Sequence, residues 1–310
     1  MLIGCWLVFV IRCPIFILFS SGFIHFFNRL AHAGAPPPGD LVLSRAVLDD
    51  AQRSEAWWSS CDREVLPAKV VREGGIDQAD PATHLYIDFA NAYIGGGVLS
   101  GGCVQEEILF AVAPLHTVSL LFCPAMEDYE AITIQGAEHF SEHCGYAFSL
   151  EYAGDKQDTT QRDAAGATVV KTVAIDAISY RHGGSEQYKS QHMLRDVVKA
   201  FTGFSVPGHH TGVSTGNWGC GAFGGDLHFK SILQWIAASA AGRHMEYHSF
   251  GEGGDMAAEL TQLSIDAAEA RLTCSALWCA LKLYRAEFFR AQKAREDVPN
   301  PRAFLRGLLL

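Results

Sequence analysis

The sequence predicts an α/β protein, and three observations carry that expectation. THLYIDFAN (83–91), ITIQ (132–135), TVVKTVAIDAI (168–178) and MEYHSF (245–250) are short runs rich in apolar and β-branched residues, and the first alternates Leu85, Ile87 and Phe89 on one face. Stretches of helical character separate them, over 188–203 and, rich in Ala and Leu, over 255–296. Two glycine-rich stretches, 94–102 and 215–225, each precede a helix, the first directly after a strand. Strands alternating with helices make a sheet flanked by helices, in one large domain or two smaller ones.

Taken in order, MLIGCWLVFVIRCPIFILFSSGFIHFF opens the chain as an apolar run long enough to span a membrane. Arg12 and Pro14 interrupt it, and it has neither a basic leader region nor a clear cleavage site, so a membrane segment and a buried helix both stay open. Phe23–Leu30 reads as helix and 31–40 as loop. LVLSRAVLDDAQ (41–52) reads as helix again, with Trp57 and Trp58 as packing residues. After strand 83–91 comes the glycine loop, and a helix runs through ILFAVA. No internal repeat is present.

Composition narrows the function. The formal charge is −10 over 310 residues, which disfavours sequence-independent nucleic-acid binding, because that needs a basic face. The nine cysteines are irregularly spaced with no C-x-x-C pair, which argues against a disulfide framework. They read as buried thiols in a reducing, intracellular compartment, with Cys274 and Cys279 in a helical core.

The stretch IGGGVLSGGCVQEEILF (94–110) is the most informative. Three glycines permit close approach of the backbone and positive φ. Gln105, Glu106 and Glu107 follow at a helix start, and Asp88 and Asn91 lie at the end of the preceding strand, where α/β sheets bind ligands. Adjacent helical residues point about 100° apart, so the two glutamates have different jobs: one faces a scissile bond and the other fixes hydroxyls. Close carboxylates in a partly dry site raise one pKa, as a general acid requires. In TGNWGCGAFGGDLHFKSILQWIA (215–237), Asp226 caps a helix whose Phe229, Ile232, Leu233 and Ile236 share a face. A glycine loop entering a helix is an anion site. Two such loops fit a ligand with two phosphates.

Other motifs weigh less. Gly219-Cys220-Gly221-Ala222-Phe223-Gly224 matches G-x-G-x-x-G with Glu246 downstream, but VSTGNW is a weak strand to feed a dinucleotide site. His139-Phe-Ser-Glu142-His143 matches an inverted zinc-hydrolase pattern, yet its flanks make no convincing helix, and among 13 histidines a chance match is the better account. His209-His210 sits in a turn.

Together, GGG, seven residues and QEE, within YIDFANAYIGGGVLSGGCVQEEILF, resemble the signature of poly(ADP-ribose) glycohydrolases, and TGNWGCGAFGGD resembles that family's diphosphate loop. EHFSEHCGYA resembles its tyrosine-containing adenine-side element, and FIHFFNRLA (23–31) a helix of its soluble catalytic region, which weakens the membrane reading. The resemblance covers roughly residues 22–250. It implies a macrodomain-like mixed sheet flanked by helices, with a mainly helical N-terminal extension: an apolar segment 1–21, a helical accessory region 22–75, and a catalytic domain 76–310 ending in helices. It also implies a monomer without cofactor or metal that acts on poly(ADP-ribose) attached to modified proteins, in nucleus or cytoplasm. On the matching positions it makes Glu107 the acid/base, Glu106 the holder of ribose hydroxyls and Asp88 the supporting acid. Asn91 and Gln105 contact the terminal ribose region. Gly95, Gly96 and Gly97, with Asn217, Trp218, Gly219, Cys220, Gly221, Ala222 and Phe223, surround the diphosphate. Ile76 and Asp77 lie near adenine. His143 stands where the family has a tyrosine over the adenine side, Phe140 replaces another tyrosine, and Asp77 is shorter than the usual glutamate, so the adenine side is where this sequence departs from the family's pattern. The alternatives are a module that binds ADP-ribose without chemistry, against which the intact Gln105-Glu106-Glu107 argues, and a zinc hydrolase through His139 and His143.

Overall fold

The structure, a computed structural model, describes residues 14–34, 37–182, 184–251 and 256–310. In chain order its elements are α1 (Pro14–Ala33), β1 (Val42–Val47), α2 (Glu55–Ser60), β2 (Ala68–Val71), β3 (His84–Ala90), α3 (Gln105–Val112) and α4 (Ser119–Phe122). Then come β4 (Glu130–Gln135), β5 (Ser141–Cys144), β6 (Glu151–Asp155), β7 (Lys171–Asp176), α5 (Ser190–Phe204), β8 (Gly212–Gly216) and α6 (Leu227–Ala240). Strand β9 (His244–His248) and helices α7 (Met256–Glu269), α8 (Cys274–Ala294) and α9 (Pro301–Leu309) complete the chain. Of the apolar start expected over 1–21, residues 1–13 lie outside the described residues. Among the described residues no helix is long and apolar enough to cross a membrane.

Two compact units interleave in sequence. Of the described residues, the first takes those within Met1–Arg45, Asp88–Met126 and Ile132–Ala174, and the second those within Ala46–Ile87, Glu127–Ala131 and Ile175–Leu310. In the first, β4 and β7 pair antiparallel, with Ile132 opposite Ala174 and Ile134 opposite Thr172. Their core joins Ile94, Val98 and Phe110 from the glycine turn and α3 to Ile132, Ile134 and Ala174. Helix α1 docks here through Phe26, whose ring meets Phe140 edge-on at 5.4 Å. Arg29 fixes it further, with both guanidinium nitrogens on Glu138 at 2.8 and 3.0 Å and its charge 4.3 Å over the Phe140 ring.

In the second unit β3, β8, β9 and β2 lie in that order, all parallel. Helix α6 links β8 to β9, and its Phe229, Ile232, Leu233 and Ile236 are fully buried, as the spacing predicted. The Asp226 carboxylate caps it by accepting from Phe229 N at 2.7 Å.

Several local expectations are corrected. Residues 41–52, read as helix, form β1 and a 3-10 turn, so strands β1 and β2 also fall within the stretch 22–75 expected to be helical. VSTG, read as a weak strand, is the heart of β8. Its residues are all buried although none but Val213 is a large apolar one. The polar atoms are satisfied inside: Ser214 Oγ donates to Ile76 O at 2.8 Å and Thr215 Oγ1 to Gln234 Oε1 at 2.6 Å. Of the cysteines expected to be buried, Cys61, Cys103 and Cys274 are, whereas Cys144 and Cys279 are exposed. Cys274 and Cys279 sit five residues apart on α8, about 140° around the helix, so they face different ways. Trp58 is fully buried, as a packing residue should be.

Candidate active site

In the first unit, one turn gathers the three expected acids together with Asn91, Gly95, Gly96, Gly97 and Gln105. Strand β3 carries Asp88 two residues before its end at Ala90, the chain turns through 91–102, and α3 begins at Gln105. Gln105 Oε1 accepts from Phe89 N at 2.8 Å and so ties the helix start to the strand. Asn91 Oδ1 accepts from Tyr93 N at 3.0 Å and shapes the turn.

The two glutamates are held by main chain. Glu106 accepts from Asn91 N at 2.9 Å and Gly95 N at 2.6 Å, one on each oxygen. Glu107 accepts from Gly97 N at 2.8 Å and, reaching back as an N3 residue does, from Val104 N at 3.0 Å. Both are buried. The triple glycine therefore has a specific duty. Gly95 and Gly96 take φ of +88° and +49°, and a Cβ on Gly96 would lie 2.5 Å from Glu107 Oε1 and 2.6 Å from Glu106 Oε2. The N–H groups of Gly95 and Gly97 go to these carboxylates, and that of Gly96 to Tyr93 O. None of the three N–H groups points unspent toward a phosphate.

Asp88 completes the cluster. It is fully buried, and among the described residues neither carboxylate oxygen has a hydrogen-bond partner. Burial, then the neighbouring Glu107 charge, pushes its pKa well above the usual carboxylate range. Burial, then Asp88, raises Glu106 to about 10, against the pull of the Asn91 and Gly95 N–H groups. Burial and mutual repulsion therefore leave the Asp88–Glu106 pair holding at least one proton at neutral pH.

The second unit carries the other glycine loop, 217–225. Asn217 is fixed by Tyr247 OH, which donates to its Oδ1 at 2.9 Å, and by its own Nδ2 on Ser249 O at 3.2 Å. Trp218 is fully buried, with Nε1 donating to Ile175 O at 2.9 Å. Among the described residues the N–H groups of Gly219, Gly221, Ala222 and Phe223 donate to no acceptor. Successive free amides of this kind form an anion-binding nest. Also in this unit, Ile76 is buried and accepts from Ser214 Oγ at 2.8 Å, and Asp77 is exposed. His143 lies in the first unit, on β5, opposite Tyr152 of β6.

The inverted zinc pattern finds no helix. Glu142 and His143 lie on β5 with a register shift between them, and His139 precedes the strand. Among the described residues no three His, Cys, Asp or Glu side chains gather as a metal-binding group. Glu246 of the dinucleotide fingerprint is paired with Lys69 at 2.8 Å. Sequence reasoning missed Phe250. It is 44% exposed in the left-handed region (φ 53°), directly after Ser249, which holds Asn217. Its backbone strain is invisible in the letters SFGE.

Residues 55–256, more than half of the chain, match the family described as poly(ADP-ribose) glycohydrolase, Macro domain fold. That span contains both the carboxylate cluster and the second glycine loop. The chain belongs to the poly(ADP-ribose) glycohydrolase family. It is 37% identical over 230 residues to poly(ADP-ribose) glycohydrolase 1 of Caenorhabditis elegans, covering 70% of this chain and 29% of that protein. It is 31% identical over 313 residues to a probable poly(ADP-ribose) glycohydrolase 2 of Arabidopsis thaliana, covering 85% and 58%. Poly(ADP-ribose) glycohydrolase 1 of Arabidopsis thaliana matches at 32% over 301 residues, covering 74% and 53%. The chain thus spans between about a third and three fifths of the length of these family members.

Proposed function

We propose that this chain hydrolyses the ribose–ribose O-glycosidic bonds of poly(ADP-ribose) and releases ADP-ribose, acting on polymer attached to modified proteins in an intracellular compartment. The observation that carries this reading is the pair of buried glutamates, each gripped through both oxygens by the main chain of one glycine turn. A module that only bound ADP-ribose would have no use for three buried carboxylates gathered in one turn.

In this reading Glu107 delivers the cluster's proton to the leaving ribose oxygen as the glycosidic bond breaks, with positive charge developing on the anomeric carbon. Glu107 then takes a proton from the water that attacks that carbon, and the cluster returns to its starting state. Glu106 holds ribose hydroxyls and, with Asp88, keeps a proton in the cluster through burial and then repulsion. No other carboxylate among those described here takes the place of a covalent nucleophile. The unspent amides of Gly219, Gly221, Ala222 and Phe223 receive the diphosphate, and Ile76 and Asp77 of the same unit serve the adenine side.

Single-turnover polymer cleavage beside ADP-ribose calorimetry tests the assignment. Glu107→Gln keeps size but removes the transferable proton, so cleavage falls by about 10²–10⁴-fold while ADP-ribose binding is nearly unchanged. Glu106→Gln loses rate and part of the binding. Near wild-type cleavage by Glu107→Gln would overturn the mechanism.

A further inference from the structure

The second glycine loop is wrapped around a buried cation. Lys230, in the first turn of α6, is fully buried. Its ammonium lies 2.7 Å from Asp196 Oδ2 and 3.8 Å from the centroid of the Trp218 ring. Asp196, on α5, is 1% exposed; Tyr180 OH also donates to its Oδ2, at 3.4 Å, and Arg195 approaches its other oxygen at 3.6 Å. The loop closes over the lysine. Lys230 N donates to Asp226 O and Gly225 N to Gly219 O, both at 2.9 Å. A Cβ on Gly219 would lie 3.4 Å from the ammonium, and one on Gly225 would lie 3.4 Å from Lys230 Cγ.

Burying an ammonium is costly even when it is paired, and an apolar side chain of similar volume would fill this space with less penalty. What an apolar residue lacks is grip on both sides. Here a carboxylate holds the cation on one side and the indole face holds it on the other. The ring is pinned a third time by Nε1 on Ile175 O. Its orientation fixes the main chain at 217–219, and with it the direction of the amides that follow. The Asp196 carboxylate balances the lysine charge, so the cation acts by position and not as a field on the ligand.

The geometry points to Lys230 as the positioning residue of this loop: through Trp218 it holds the four unspent amides in the arrangement that takes the diphosphate of ADP-ribose. The ligand rests on the function proposed above; the positioning does not. A diphosphate is bound equally in the ground state and in the transition state of a bond broken elsewhere, so losing the grip raises KM and leaves kcat nearly unchanged.

The double variant Lys230→Met with Asp196→Asn removes both charges and leaves neither buried alone. Three readouts are taken: polymer-cleavage kinetics, ADP-ribose calorimetry, and amide hydrogen exchange over 217–225 without ligand. The expected result is KM and Kd raised about tenfold, kcat within about twofold, and faster exchange in the loop. Unchanged KM and Kd, or kcat falling as far as KM rises, would overturn the proposal. Trp218→Phe keeps both charges and serves if the double variant does not fold; it should raise KM likewise, and an unchanged KM would overturn the proposal. If the wild-type protein binds no ADP-ribose, the function proposed above fails, and the exchange rates still decide the role of Lys230: faster exchange upholds the positioning and unchanged exchange refutes it.

Discussion

Gly96→Ala adds one carbon and should disable the site. The Cβ would lie 2.5 Å from Glu107 Oε1 and 2.6 Å from Glu106 Oε2, where ordinary contact begins at 3.4 Å, so something must yield by about 0.9 Å. A carboxylate at the end of a flexible side chain would ordinarily swing aside. These two can do so only by giving up the N–H groups of Asn91, Gly95, Gly97 and Val104. Alanine at the φ of +49° found here costs a further 1–2 kcal/mol or so in the backbone, equivalent to a melting-temperature loss of about 2–4 °C in a chain of this size. Misplacing a catalytic group by about 1 Å costs about 10²-fold in rate. The expected outcome is therefore a folded protein with kcat/KM for polymer cleavage down about 10²-fold. Gly101→Ala is the control in the same turn, since nothing lies within 4 Å of its would-be Cβ. Initial rates of ADP-ribose release and thermal melting, run side by side, decide the matter. Wild-type kcat/KM in Gly96→Ala, or an equal loss in Gly101→Ala, would refute the reasoning.

Asp88 and Glu106 make stability depend on pH in a definite direction. Their folded-state pKa values are raised, so the native protein keeps protons that the unfolded chain releases. Stability is full below the unfolded carboxylate values of about 4 and falls as pH rises toward the folded ones. Asp88→Asn should flatten that fall in calorimetric melting between about pH 5 and 9; a decline as steep as the wild type's would count against the assignment. Arg29→Ala removes the bidentate pair with Glu138 and the stacking on Phe140. Because Arg29 is 40% exposed, the loss should be modest, about 1 kcal/mol. The melting temperature should drop with cleavage rate unchanged well below it, and a rate loss without a melting shift would show that α1 serves catalysis directly.

Strand β3, the glycine turn and the α3 start were legible because alternation, a triple glycine and paired acids are all written in residue type. Helix α6 was legible from its cap and apolar face. Strand β8 was not, because it is buried through hydroxyls that find partners inside, and GVSTG has no apolar run to announce it. Strand β1 misled in the other direction: only partly buried, VLSRAV shows no clean alternation. The glycines were found but not their use. Spacing tells that a backbone must come close to something; it does not tell whether that something is a phosphate or the protein's own Glu106 and Glu107. The orphaned oxygens of Asp88 are likewise a property of three-dimensional surroundings, since an aspartate at a strand end reads the same with or without partners.

The main-chain grip on Glu106 and Glu107 has a consequence for how this site can change over time. A carboxylate held by an arginine or a serine can lose that partner and regain another through a second substitution nearby. Amides of a turn offer no such exchange, because every residue except proline brings the same N–H. Most side-chain drift in the turn therefore leaves the grip untouched. The edits that reach it are those that add atoms where there are none, at Gly95, Gly96, Gly97 or at Gly102, whose Cβ would lie 2.5 Å from the Glu107 carboxyl carbon, and those that change the length of the turn. What is constrained here is empty space and loop length, so the site tolerates many neighbours and very few insertions.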